Sequence, residues 1–309
     1  MRPSYCSSLF RFVSPDRMLK RMSLARPMRG FLYLFLLLSP VWTCTAVQSV
    51  QYHQVPRDVI ETRLRRYAGN NKQREATLKQ MFSEAGCDDQ NLSEQPVKGS
   101  RLPNVICVLP GSSDKMIIVG AHFDRVPDGD GVVDNWSGAS LLPSLYESLK
   151  ALPRRHTYIF IGFTDEEPGL IGSSFYAHHM TREEVAATSA MVNMDTLGLA
   201  PTEIWGSQAD RRLNRAIAFV AKQMQVPLSS VDVDNIGTTD SVSFADRKIP
   251  SITIHSLTPE AWRQHILHSS KDRLSAMRLD DYYESYRLIA AYIAFLDQMG
   301  LPANDKTSH

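Results

Sequence analysis

The stretch Ile117-Ile118-Val119-Gly120-Ala121-His122-Phe123-Asp124 decides the predicted fold. Its apolar run, rich in Ile and Val and followed by a polar turn, is typical of a buried parallel strand. Because side chains alternate along a strand, His122 and Asp124 share one face at its carboxyl end. Open α/β sheets place their ligands at that end. A histidine with a carboxylate beside it is also a typical arrangement for a metal ligand and the group that orients it.

Apolar runs and helical patterns alternate along the rest of the chain. Strands are predicted at residues 95–98, 104–109, 116–121, 157–163, 190–193, 202–205 and 250–255. Helices are predicted within 55–85, which Gly69 divides into two, and at 137–152, 172–179, 211–225 and 280–299. Such alternation is typical of βαβ units. The fold class we expect is α/β, a single-domain three-layer sandwich whose mixed, mostly parallel central sheet has helices on both faces.

Length and charge narrow the class of protein. The 309 residues, 43% of them apolar, suit one globular domain and a tail. Of 34 basic and 33 acidic residues, residues 1–30 hold seven and one, which leaves 27 and 32 and a net charge of −5 for the remainder. A globular part of that sign is a poor candidate for nucleic-acid binding, and we expect none.

An apolar core at Phe31–Leu38 follows the basic leader and precedes small residues that end at Ala46. This layout is typical of a secretory signal peptide, and the core is too short for a comfortable membrane span. An uncleaved signal anchor is the alternative. We therefore expect a leader at 1–46, a catalytic domain at 47–303 and a disordered tail at 304–309. The protein would be secreted or periplasmic, and would meet a membrane only through an uncleaved anchor.

Two cysteines, Cys87 and Cys107, remain beyond the leader. Neither has a CxxC partner, so neither indicates a thiolate metal site. In an exported protein they could form a disulfide, and two buried free thiols are the alternative.

Clusters of polar residues follow the predicted strands in chain order. They are His122 and Asp124; Asp134-Asn135-Trp136-Ser137-Gly138; Asp165-Glu166-Glu167; Asn193-Met194-Asp195; and finally His265, His268 and Asp272. Histidines with several carboxylates form a ligand set that suits Zn²⁺, with Mn²⁺ or Co²⁺ as alternatives. So many buried carboxylates would repel one another, and bound cations would remove that conflict.

The ordered motifs Gly-Ala-His-Phe-Asp, Asp-Asn-x-Ser-Gly, Glu-Glu-x-Gly-Leu-x-Gly-Ser, Asn-x-Asp and a late His resemble those of the co-catalytic dizinc aminopeptidases. These zinc exopeptidases include secreted leucyl aminopeptidases and are related to the glutaminyl cyclases. The likeness covers roughly residues 55–300. It implies two zinc ions per chain and, as substrates, peptides with a free N-terminus. We further expect a monomer.

The resemblance implies a role for each site residue. The metal ligands would be His122, Asp134, Glu167, Asp195 and His268, with Asp134 bridging both metals. The catalytic residues would be Glu166, as the general base that accepts the proton of the attacking water, and Asp124, which would hold the second nitrogen of His122. The family pattern also implies a cis peptide between Asp134 and Asn135.

Three positions leave alternatives open. His265 competes with His268, although only His268 is followed by a small polar residue and then an Asp, as in the family. Asp128 and Asp130, in the short loop before Asp134, could attract a substrate amino group or be solvated turn residues. Relatives often carry a histidine two positions after the residue that corresponds to Thr239, and this chain lacks it.

The function we expect is a secreted zinc-dependent metalloaminopeptidase in which a metal-activated water and a Glu base remove N-terminal residues. A one-zinc glutaminyl-peptide cyclotransferase is the first alternative, because cyclases share Asp134, Glu166, Glu167, Asp195 and His268. A non-catalytic ectodomain of the same fold is the second, although such proteins should have lost ligands and none is missing here.

Overall fold

The computed structural model describes residues 7–11, 49–233 and 237–300. The predicted signal core, its cleavage site and the predicted tail at 304–309 lie outside these ranges. Among the described residues, no helix is both long and apolar enough to span a bilayer.

The sheet and helices alternate as the sequence predicts. The strands are β1 (Ser7–Arg11), β2 (Ser49–His53), β3 (Leu92–Gln95), β4 (Asn104–Leu109), β5 (Met116–His122), β6 (Thr157–Phe163), β7 (Thr188–Met194), β8 (Glu203–Ile204), β9 (Ser229–Ser230) and β10 (Ser251–His255). The helices are α1 (Arg57–Leu64), α2 (Asn71–Ala85), α3 (Ser137–Ala139), α4 (Leu142–Lys150), α5 (Ile171–His179), α6 (Arg182–Ala187), α7 (Arg211–Met224), α8 (Ser241–Ala245), α9 (Pro259–Arg263) and α10 (Leu279–Met299).

Eight strands form the central sheet in the order β3-β4-β6-β5-β7-β10-β8-β9. The four middle strands, β6, β5, β7 and β10, are parallel. Strand β4 pairs antiparallel with both β3 and β6, and β8 pairs antiparallel with β10 and parallel with β9. The predicted mixed, mostly parallel sheet is therefore confirmed. A separate antiparallel pair joins β1 to β2. No pattern in the sequence predicts this pair, and β1 lies within the predicted leader.

Strand β5 is buried on both faces, as its continuous apolar sequence predicts. Ile117, Val119 and Ala121 belong to the larger core, which packs against α1, α2, α4, α7 and α10. Ile118 points to the opposite face and packs in a smaller core with Ala177 of α5 and others. Helices therefore cover both faces of the sheet, and β5 is held rigidly up to its last residue.

Gly86 marks a helix end as expected, and one helix differs from the prediction. Gly86 ends α2 in the left-handed conformation with φ 96°, where glycine costs least. The predicted helix at 137–152 is divided into α3 and α4. Pro143 lies at the start of α4, where its missing N–H leaves no helical hydrogen bond unmade. The division separates the short site-bearing helix α3 from the longer scaffold helix α4.

Cys87 and Cys107 form a disulfide that joins the segment after α2 to strand β4. Of the two alternatives, the structure has the disulfide. Both residues are buried, so the link lies within the larger core.

We expect the double variant C87S/C107S to lose about 3 kcal/mol of unfolding free energy, because a link across a loop of this size restricts the unfolded chain. Urea unfolding of the wild type and the variant measures the difference. Reductant should shift the wild type towards the variant and leave the variant unchanged. Equal midpoints for the oxidised wild type and the variant would contradict the expectation.

Candidate metal centre

Four neighbouring parallel strands bring the polar clusters to one edge of the sheet. His122 is the last residue of β5. Glu166 and Glu167 follow β6, Asp195 follows β7, and His268 lies on the loop after β10 and α9. Because β6, β5, β7 and β10 are adjacent in that order, their carboxyl ends meet at one place. This is the location that the general rule for open α/β sheets predicts.

The Asp134 carboxylate lies between the two histidines. Its Oδ1 is 3.3 Å from His122 Nε2, and its Oδ2 is 3.2 Å from His268 Nε2. Asp195 Oδ1 completes one side, 3.7 Å from His122 Nε2, and Glu167 Oε2 completes the other, 2.9 Å from His268 Nε2. We name these two clusters the His122 side (His122, Asp134, Asp195) and the His268 side (Asp134, Glu167, His268).

The donors of this cluster fit a divalent cation. Within the described residues, two groups have ligand atoms within 4.8 Å of one another, namely His122, Glu166 and Asp195, and His122, Asp134 and Glu167. Both groups contain His122, and the first includes the predicted general base. Glu167 Oε1 is buried without a hydrogen-bond partner among the described residues, so a donor atom is left for a cation. Imidazole nitrogens with carboxylate oxygens are the ligands that zinc takes in catalytic sites.

The electrostatics also show a surplus of negative charge. Hydrogen bonds to Asp134 and then to Glu167 raise the pKa of His268 to about 10. Burial, followed by the nearby Asp240, Asp195 and Asp134, raises the pKa of Glu166 to about 10, although His122 opposes this shift. In these contacts the imidazoles supply the positive charge that the carboxylates need. A bound cation would supply it instead and leave both imidazoles neutral, as ligands must be.

Asp124 lies behind both His122 and the glutamate loop. Its carboxylate accepts hydrogen bonds from the backbone N–H groups of Glu166, at 3.1 Å, and Glu167, at 3.2 Å. Asp124 Oδ1 is 3.5 Å from His122 Nδ1, the atom that the sequence expects it to hold. The contact with the glutamate loop is an additional one that the sequence does not predict. One buried carboxylate thus holds the loop that follows β6 and lies beside His122, whose Nδ1 has no hydrogen-bond partner among the described residues.

The segment after Asp134 packs tightly against the end of β7. The peptide between Asp134 and Asn135 is cis, as the family pattern implies. The Asn135 side chain donates to Met194 O at 2.9 Å and accepts from Gly138 N at 3.0 Å. A Cβ on Gly138 would lie 2.6 Å from Met194 O, so only glycine lets the chain approach this closely. The Asp-Asn-x-Ser-Gly motif therefore joins Asp134 to the strand that carries Asp195.

Thr239 is a site residue that the sequence reveals only as a departure from the family. Its hydroxyl donates to Asp195 Oδ2 at 2.7 Å and accepts from Asn193 Nδ2 at 2.7 Å. Thr196 Oγ1 donates to the other Asp195 oxygen at 3.2 Å. Both oxygens of Asp195 are thus held in place by hydroxyls.

Arg74 and Asp272 hold the backbone around Asp134. Asp272 accepts from Val133 N at 2.8 Å and from Asp134 N at 3.1 Å, and its own carbonyl accepts from Asp130 N. Arg74, on α2, bonds to backbone carbonyls of the same loop. Arg74 lies four residues before Leu78, so it shares the apolar face of α2, and this position indicates a buried arginine. Our prediction omits Arg74, whereas it includes Asp272 in the last polar cluster.

The centre opens into a cavity of about 490 Å³. Apolar side chains form much of its wall, namely Trp205, Val233, Leu257, Trp262 and Leu267. His265 also lines the cavity, but no described contact joins it to the carboxylates, whereas His268 contacts two of them. Asp128 is exposed and does not line the cavity, which favours the solvated turn.

The model of "Peptidase family M28" matches residues 104–293, more than half of the chain, and these residues contain the whole centre. The chain belongs to peptidase family M28. Aminopeptidase YwaD of Bacillus subtilis is 28% identical over 221 residues, which are 66% of this chain and 45% of that protein. The chain therefore spans less than half the length of this curated M28 relative.

Two solved structures show the same fold. A zinc aminopeptidase from Bacillus subtilis has a TM-score of 0.58 at 23% identity, over 67% of this chain and 52% of that one. A glutaminyl cyclase from an Acidobacteriales bacterium has a TM-score of 0.66 at 17% identity, over 79% of this chain and 95% of that one. A zinc aminopeptidase and a glutaminyl cyclase thus share the fold of this M28 chain.

We expect T239V to weaken the binding of zinc by this centre about ten-fold, since a hydrogen bond to a charged group contributes about 1.5–3 kcal/mol. Competition titration of the metal-free protein with a chelator measures the zinc affinity of each variant. T239S keeps the hydroxyl and should stay within about two-fold of wild type. If T239V binds zinc as tightly as T239S, Thr239 does not position Asp195.

Proposed function

We propose that this M28 protein is a metalloaminopeptidase with a two-zinc centre, ligated by His122 and Asp195 on one side, Glu167 and His268 on the other, and Asp134 between them. The observation that carries the proposal is the Asp134 carboxylate, whose two oxygens face two different histidines. A carboxylate so placed can give one oxygen to each of two metals. Zinc ions held there would polarise the scissile carbonyl and make water acidic enough to attack it near neutral pH.

Glu166 is the carboxylate that this ligand set leaves free. It lies beside Glu167 and lines the cavity, and its Oε2 is 3.9 Å from His122 Nε2. We assign it the task of taking a proton from the attacking water and delivering it to the leaving amine. Divalent cations beside it would lower its raised pKa, because nearby positive charge favours the ionised carboxylate.

The cavity suggests the class of N-terminal residue that is removed. Its aromatic and aliphatic wall would gain free energy from burying a large apolar side chain. Trp262 stands at this wall with 40% of its surface exposed, and it is the one large apolar side chain of the described residues that is so exposed. We therefore propose leucine-like and aromatic N-terminal residues as preferred substrates. Leucine aminopeptidase 2 of Trichophyton rubrum, 32% identical over 88 residues, carries such a preference in its name.

Export of the protein is part of the proposal. The Cys87–Cys107 disulfide supports it, since structural disulfides form and persist in oxidising compartments. The predicted signal peptide supports it from the sequence.

A one-zinc glutaminyl cyclase is the second candidate. The observation that favours it is the His268 side. By itself this side offers three ligands for a single metal ion, namely Asp134, Glu167 and His268. Zinc content separates the candidates, because two ions per chain fit the aminopeptidase, one fits the cyclase, and none fits a non-catalytic domain.

We expect E166Q to lower the hydrolysis of aminoacyl anilides by about 10²–10⁴-fold, the usual contribution of a general base, while zinc content stays at the wild-type value. The assay pairs anilide hydrolysis with cyclisation of a glutaminyl peptide, for purified protein of known zinc content. E183Q, which removes an exposed carboxylate of α6, is the matched control and should hydrolyse at the wild-type rate. Cyclisation without hydrolysis by the wild type, or full activity of E166Q, contradicts the proposal.

We expect W262A to raise KM for leucyl and phenylalanyl anilides about ten-fold and to change KM for the alanyl anilide less than about two-fold, because only large side chains reach the indole. The value of kcat should stay the same for all three substrates. W262F keeps an aromatic ring and should lie between the wild type and W262A. An equal change for all three anilides would show that Trp262 plays no part in selecting the residue.

A further inference from the structure

Arg74 is a charged side chain with no exposed surface in the core next to the metal centre. Its Nε donates to Phe123 O at 2.5 Å, its Nη2 to Gly131 O at 2.8 Å and its Nη1 to Asp130 O at 3.2 Å. The guanidinium carbon lies 5.0 Å from the centre of the Trp136 ring. Burial lowers the pKa of Arg74 to about 10, so the group is still charged at neutral pH. All three of these hydrogen bonds go to one loop.

That loop connects the two ligands that the His122 side needs in a defined relation. Phe123 directly follows His122, and Gly131 comes three residues before Asp134. The loop has little regular structure, and Gly129 and Gly131 have positive φ values of 78° and 60°. Without Arg74 the carbonyls of Phe123 and Asp130 would lose this partner, which is costly for buried groups, whereas Gly131 O would keep its hydrogen bond from Trp136 N–H. The planar guanidinium can reach carbonyls on both arms of the loop at once, whereas an ammonium concentrates its donors at one point.

Arg74 and Asp272 both hold the segment before Asp134, but only Arg74 also holds the residue after His122. Arg74 contacts the loop before Asp134 and makes none of its described hydrogen bonds to Glu167 or to the loop that carries His268. Asp272, on the latter loop, holds Asp134 through its backbone N–H. Loss of Arg74 would therefore disturb the separation of His122 from Asp134 more than the contact of Asp134 with His268.

We propose that Arg74 is a positioning residue that sets the separation of His122 and Asp134 and thereby determines the zinc affinity of the His122 side. This inference rests on the proposed two-zinc centre. Under this proposal Arg74, on α2, controls the zinc affinity of the His122 side and not that of the His268 side.

The test is zinc titration of the metal-free wild type and R74K against a competing chelator. The zinc equivalent that H122A abolishes identifies the His122 side. We expect R74K to bind that equivalent at least about ten-fold more weakly and the other within about three-fold of wild type. Backbone amides of residues 123–131 should also exchange faster with deuterium in metal-free R74K than in the metal-free wild type.

R63K is the matched control. Arg63 is also buried, and it bonds to Ser144 at 2.8 Å and Glu147 at 2.8 Å on α4, away from the centre. R63K should lower thermal stability while both zinc affinities stay at the wild-type values. It thus separates the loss of a buried arginine from the loss of this particular one.

Each outcome is decisive. A wild type that binds fewer than two zinc ions refutes the two-zinc centre, and this inference with it. A two-zinc wild type with R74K unchanged, or with both affinities of R74K lowered equally, overturns the role of Arg74 alone.

If R74K does not fold, W136F decides, since it keeps Arg74 and shrinks the ring beside it. About three-fold weaker binding on the His122 side alone supports the proposal, and unchanged binding overturns it.

Discussion

The position of one carboxylate, that of Asp134, is the constraint on which the site depends. Its two oxygens face His122 and His268, which lie far apart in the chain. The two oxygens of Asp134 can stay directed at the two histidines only if the backbone that carries the side chain is fixed. Asp272 accepts a hydrogen bond from the backbone N–H of Asp134, and Arg74 donates one to the backbone carbonyl of Gly131. Both act from elements other than the one that carries Asp134.

The same arrangement concentrates negative charge in a buried place. Burial is the largest cause that raises the pKa values of Glu166, Glu167 and Asp240, so these groups resist ionisation where they stand. A site built only for stability would not collect carboxylates in this way. The rigid parallel strands behind them, buried on both faces, hold them together against that repulsion. Such a centre is prepared for cations.

Much of the fold could be read from local patterns, because burial on both faces of a parallel strand requires a continuous apolar run. The strands at 104–109 and 157–163 were predicted with the bounds that the structure has. The prediction of a single helix at 137–152 was wrong, since the chain leaves the helix after Ala139 and α4 begins at Leu142, next to Pro143. The helices α6, α8 and α9 escaped prediction because they are too short to show a helical period, and the pair β1–β2 escaped because β1 lies within the predicted leader.

Local sequence patterns are enough to show which chemical groups are available and which strand each of them follows. They therefore suffice for the α/β class and for the candidate ligands. Three-dimensional packing brings β6, β5, β7 and β10 side by side, turns Asp134 towards both histidines, and places Arg74 and Thr239 where they support the ligands. These are contacts between residues far apart in the chain. They arise from packing of the whole sheet and its helices, and no window of sequence contains them.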